Sequence, residues 1–175
     1  MARFRIALIA TLTTGLAWFP HKLAVAVEGS DLLRASVIEK IARFIEWPES
    51  KPSQINLCVF EGTPLLPALE HYYDNGYTDN IPVKLVKASS FKSFSECQII
   101  YLGAPENNKL DNILRAIDQQ AIMLITENED DVSKGVHVDF FVADNRLHLE
   151  INRSALARNN LKASYHLLGA ARVVE

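Results

Sequence analysis

Cys58, in NLCVFEG, and Cys97, in CQIIYLGAPE, are the only thiols in the chain. A cysteine can fill core space, react as a thiolate or close a disulfide, and the neighbours of these two leave all three readings open. HVDF places His137 and Asp139 so that, in a strand, both side chains lie on one face. Two ligands do not make a metal site, and no third His or Cys lies nearby in sequence. His71 and His148 have no visible partner either, so solvated or half-buried imidazoles are the expectation. ENEDD, Glu127 to Asp131, invites calcium, yet it lacks the central glycine and terminal glutamate of a calcium-binding loop. Gly103 follows the apolar run QIIYL, at the kind of position where α/β sheets bind ligands. GAPENN nevertheless carries neither G-x-G-x-x-G nor the Lys-Ser/Thr of a phosphate loop. G-x-S-x-G is absent as well. No catalytic residue, metal or cofactor is expected from these residues.

The start of the chain bears on the cysteines, because disulfides persist in oxidising compartments and are rare in the cytosol. Met1-Ala-Arg-Phe-Arg precedes the uncharged run Ile6 to Phe19 and then Ala24-Val25-Ala26, a small-x-small cleavage site. That arrangement predicts a signal peptide over residues 1–26 and export of a single domain, residues 27–175. The apolar run is too short for a membrane span, and Pro20, His21 and Lys22 interrupt the chain directly after it. Losing Arg3, Arg5 and Lys22 makes the remainder more acidic than the formal −3 of the whole sequence, which argues against nucleic acid as a partner. No later stretch is long and apolar enough to insert in a membrane, so a soluble mature chain is expected.

Asp31 reads as the N-cap of a helix carrying Leu32, Leu33, Val37, Ile38, Ile41 and Ile45, which Trp47-Pro48 ends. Strand-like runs come next at Ile55 to Phe60, Val83 to Val86, Gln98 to Leu102 and Ala121 to Thr126. Helical stretches near Leu65 to Tyr73, Ser90 to Glu96 and Lys109 to Ile117 separate them. Short apolar strands alternating with helices predict an α/β three-layer sandwich with a mainly parallel central sheet. Val136 to Val142 and Arg146 to Ile151 flank the turn Ala143-Asp144-Asn145 and read as an antiparallel hairpin. Two short helices, Arg153 to Asn159 and Ser164 to Val174, are expected to close the chain, with Asn152 capping the first.

FIEWPES, NLCVFEG, CQIIYLGAPE, HLEINRSALARNNLKAS and HLLGAARVV, in that order, resemble the successive blocks of the YfiR family of periplasmic proteins. The resemblance covers essentially the whole chain after residue 26. It implies a periplasmic regulator with no catalysis of its own, which binds the periplasmic sensor domain of an inner-membrane diguanylate cyclase and represses synthesis of cyclic di-GMP. An outer-membrane lipoprotein would sequester the repressor, and a homodimer is compatible with the same pattern. The family pairs cysteines at positions matching Cys58 and Cys97, so the resemblance implies a disulfide between them. Some members carry a second pair nearer the C-terminus; here Val132 to Val142 contains none, so redox control through such a pair has no basis in this chain.

By position, the resemblance also implies a partner surface of Glu150, Arg153, Leu156, Lys162, Ala163, Ser164, Tyr165 and Leu168. The last helix agrees in pattern: Leu167, Ala171 and Val174 fall on one face and Tyr165 and Leu168 beside it, more apolar surface than one buried stripe requires. Complete burial of that helix is the alternative. The rival function is a periplasmic small-ligand receptor or enzyme using the carboxyl edge of the sheet near Gly103, Ala104 and Glu127; a deep polar pocket there would favour it.

Overall fold

The computed structural model describes residues 22–48, 53–75, 82–144 and 146–175. Residues 1–21 of the expected leader lie outside the described residues. Helix α1 spans Lys22–Arg43, so Asp31 sits within a helix and is not its N-cap. Its carboxylate instead accepts from Arg34 Nη1 at 2.7 Å, one turn along. Ala35, Ile38, Ile41 and Ala42 recur at helical spacing and are all buried. The helix stops before Ile45, because Ile45–Glu46 leave as a short strand, β1, which pairs antiparallel with a later strand, β8, Lys162–Ala163.

The main sheet contains β2 (Ile55–Phe60), β3 (Val83–Ala88), β4 (Ile99–Leu102), β5 (Met123–Thr126), β6 (Val138–Ala143), β7 (Arg146–Asn152) and β9 (Arg172–Val174). Their order is β3-β2-β4-β5-β6-β7-β9, parallel throughout except for the β6–β7 hairpin. Side chains alternate between the faces of a strand, and the core divides accordingly. Leu57, Val59, Ile99, Tyr101, Met123, Ile125, Val138, Phe140 and Ile151 pack under α1 and α2 (Leu66–Asp74). Cys58, Phe60, Ile100, Leu102 and Leu124 face the opposite side, against the 3-10 turn Phe91–Glu96 and helix α3 (Leu110–Ala116). Layers of helix, sheet and helix result, with the central strands buried on both faces.

Cys58 and Cys97 belong to that second layer and are disulfide-bonded, with Cα atoms 5.9 Å apart across a sequence separation of 39. The bond ties the middle of β2 to the residue that leads into β4, its neighbour in the sheet. Of the three readings open for Cys58, this geometry selects the disulfide.

The C-terminal end departs from expectation. Helix α4 (Arg153–Arg158) is capped by Asn152, whose Oδ1 accepts from Ala155 N–H at 2.7 Å, as its position predicts. Helix α5, however, spans only Tyr165–Ala170, and Ala171 is already extended. Arg172, Val173 and Val174 then form β9 beside β7. The open edge of β7 offers these residues ladder hydrogen bonds, and two adjacent valines favour a pleated over a helical backbone. Among the described residues, no helix is long and apolar enough to cross a membrane.

Candidate interaction surface

The eight residues of the expected partner surface fall into three environments. Arg153, Lys162 and Tyr165 are exposed, Tyr165 by 84 % of its surface, and Arg153 reaches Glu175 at 3.2 Å. Ala163, Ser164 and Leu168 are half-buried. Ser164 Oγ caps α5 by accepting from Leu167 N–H at 3.3 Å, and Leu168 packs against the core. Leu156 and Glu150 are buried. Leu156 therefore does not line an open groove: α4 turns it inward beside Leu161 and Leu167, since a helix this short has only one side to bury. Leu168 is for the same reason a poor test of docking alone, because a charge there would disturb the core as well.

Glu150 is held across the top of β7. Its Oε1 accepts from Arg172 Nε at 2.5 Å and also pairs with Nη2 of the same guanidinium, while Oε2 is buried without a partner. Register places Asp139 on β6 opposite Glu150. Asp139 Oδ2 accepts from Val132 N–H at 3.1 Å. Burial pushes its carboxyl up to about 7, against the pull of that hydrogen bond and with help from the charge of Glu150. His137, just before β6, is also buried; its Nδ1 accepts from Leu124 N–H at 3.0 Å, which leaves its proton on Nε2. Burial drives this imidazole down to about 4, partly opposed by Asn159 and the Ala155 backbone, neither of which completes a hydrogen bond to Nε2. His137 and Asp139 thus serve as acceptors for backbone N–H groups and tie β5, β6 and the turn at Val132 together. Nothing in HVDF itself reveals those partners, which come from elsewhere in the fold.

The carboxyl edge of the sheet is a second polar cluster. Arg34, from α1, donates from Nε to Glu127 Oε1 at 2.8 Å, pairs with Oε2 through Nη2, and also holds Asp31. The chain's own helix thereby covers the ends of the central strands. Beneath it, buried Thr63 Oγ1, Glu106 Oε2 and Asn107 Oδ1 have no partner. They lie where the strand order reverses between β2 and β4, the position at which open α/β sheets commonly bind ligands. Gly103 gives this cluster room: a Cβ there would come within 3.0 Å of Glu106 Oε2, which would have to shift by a few tenths of an ångström. Ala104 is exposed.

A further groove lies toward the β7 end of the sheet. Glu129, Asp130, Phe141, Asp144, His148 and Arg172 are among the residues lining a groove of about 450 Å³ beside β7. Phe141 and His148, cross-strand neighbours, stack at 5.3 Å with their planes 9° apart. Val142 and Leu147, paired across the same hairpin, are exposed by 61 % and 38 %.

A profile described as YfiR/HmsC-like matches residues 31–172. Comparison with curated proteins finds no match. Among solved structures, a conserved domain protein from Vibrio cholerae O1 biovar El Tor str. N16961 is similar, with a TM-score of 0.57 and 12 % identity. The alignment covers 83 % of this chain and 60 % of that one, and at this identity it shows a shared fold alone. A structure of metB from Corynebacterium glutamicum aligns with a TM-score of 0.44 and 11 % identity, over 63 % of this chain and 31 % of its own.

Proposed function

This chain belongs to the YfiR/HmsC-like family, and on that ground we propose that it is a periplasmic repressor which acts by binding. Its target is the periplasmic sensor domain of an inner-membrane diguanylate cyclase or a related sensor, and an outer-membrane lipoprotein sequesters it. Repression needs only a higher affinity for the inactive state of that target. Family membership over residues 31–172 carries the reading. The buried disulfide supports it, because such bonds persist in oxidising compartments, and the exposure of Arg153, Lys162 and Tyr165 in the C-terminal segment is consistent with binding there. Deleting the gene is expected to raise cyclic di-GMP and surface attachment only in cells that hold the partner cyclase. An unchanged nucleotide level in the deletion strain sinks the cyclase as target.

A small-ligand receptor at the carboxyl edge is the second reading, favoured by the unpartnered Thr63, Glu106 and Asn107. Against it stands α1, whose Arg34–Glu127 pair lies over that edge.

A further inference from the structure

β7 is paired with β9 only at Glu150, Ile151 and Asn152. Its first half, Arg146 to Leu149, bonds to β6 on one side, and among the described residues no strand pairs with the other. In an antiparallel ladder every second residue turns its N–H and C=O away from the partner strand, so this half of β7 presents a short row of backbone groups that no strand among the described residues takes up. The 450 Å³ groove runs along that row and ends at Ala170 and Arg172, where β9 begins.

The walls of the groove differ in character. Leu147, exposed, and Leu149, half-buried, share one face of β7. His148 shares the opposite face with Phe141 and Glu150. Carboxylates of Glu129, Asp130, Asp144 and Glu150 line the groove, and among the described residues the guanidinium facing them is that of Arg172, which is already engaged by Glu150 and lies 3.9 Å from Asp130. Glu150 is 4 % exposed and its Oε2 has no partner.

We infer that the free edge of β7 is a docking site for an extended basic segment of a partner protein, which adds a strand in line with β9. Alternate side chains of such a segment point to opposite faces. Apolar residues then meet Leu147 and Leu149, and Lys or Arg residues meet the acidic wall. Main-chain bonds hold the segment and the two walls select its sequence. The inference rests on the partner-binding reading above and specifies its mode.

The test uses the whole protein and a capped peptide, acetyl-Lys-Val-Lys-Val-Lys-Val-amide, titrated by isothermal calorimetry. Two further peptides carry N-methyl groups at positions 2 and 4 or at positions 3 and 5, which block opposite edges of the same strand. One methylated form should lose about tenfold or more in affinity while the other binds like the parent, since only one edge faces β7. Replacing every Lys by Glu should abolish binding. Glu129→Lys, at an exposed position, should weaken the parent peptide severalfold with the fold intact by circular dichroism. Equal binding of both methylated peptides, loss of both, or equal binding of the acidic peptide overturns the inference. So does a free protein that is a dimer closed through this edge, because the occupant is then a second copy. If the wild type captures a cyclase sensor domain and Glu129→Lys and the peptide leave that capture unchanged, the edge is refuted while the partner-binding reading stands.

Discussion

Strands β4 and β5 bury every residue, whereas β6 and β7 pass from a buried root to an exposed tip. The first pair lies between two helical layers, next to a strand stapled by Cys58–Cys97, and its side chains are almost all aliphatic or aromatic. The hairpin instead carries two buried acids, Asp139 and Glu150, at its root and Val142, Leu147 and His148 in solvent at its tip. A region buried on both sides can only contribute stability. One that buries carboxylates with one oxygen each left unpartnered, and keeps an open strand edge and exposed apolar side chains, sacrifices stability for a surface on which another molecule can act.

Removing the staple tests that division most severely. Cys58→Ala with Cys97→Ala should lower the stability of the free domain by about 3 to 4 kcal/mol in the chain-entropy picture. Thermal unfolding should show the loss, and the ratio of peptide or partner affinities between folded variants should not change. Two titratable thiols in native protein purified from the periplasm would remove the basis of the comparison.

The root of the hairpin gives a smaller, pH-dependent effect. Asp139 has its folded pKa raised from 3.8 to about 7, so the stability it supplies is complete below 3.8 and is lost as pH rises through 7. His137 runs the other way: its folded pKa falls from 6.5 to about 4, so its share is complete above 6.5 and is lost as pH falls toward 4. In the wild type the two slopes oppose each other over this window. Asp139→Asn should therefore be more stable than wild type at pH 8, by about 1 to 3 kcal/mol, with the advantage vanishing near pH 4. The variant alone should lose stability steadily from pH 6.5 to 4. Urea midpoints at several pH values measure this, and parallel curves for the two proteins would refute the buried-acid description of the root.

The least effect on folding is expected at Tyr165, the most exposed large apolar residue among those described. Tyr165→Ala should shift stability by no more than about 0.5 kcal/mol, because 84 % of this side chain is already in water. Capture of the partner's sensor domain should nonetheless fall at least about tenfold if Tyr165 anchors the C-terminal surface, as exposed aromatics often do. Leu156 provides the contrast, since its truncation damages the core and reports on folding alone. Unchanged capture by Tyr165→Ala would move the interface away from α5.

Much of the fold was legible because its signals are local. Apolar runs of strand length fixed β2, β4 and β5 to within two residues, and Asn152 announced α4 by its type and place. Local signals also misled. Asp31 has the chemistry of an N-cap but lies inside α1, where it holds Arg34. RVV at the end of the chain continues a helical apolar pattern, yet β7 draws it into the sheet.

An α/β order of elements, an apolar character for the central strands and a leader-like start are written in the sequence, since composition and periodicity are properties of neighbouring residues. Which groups meet is settled by packing alone. Closure of α1 over the carboxyl edge brings Arg34 to Glu127, 93 residues away, and β6–β7 register sets Asp139 against Glu150. Leu156 and Leu168, alike in type and pattern, part company only when α4 and α5 pack, one into the core and the other at its margin. The open edge of β7 exists because β9 stops pairing at Glu150, and that limit is set by where α5 delivers the chain, a long-range geometry that no local pattern encodes.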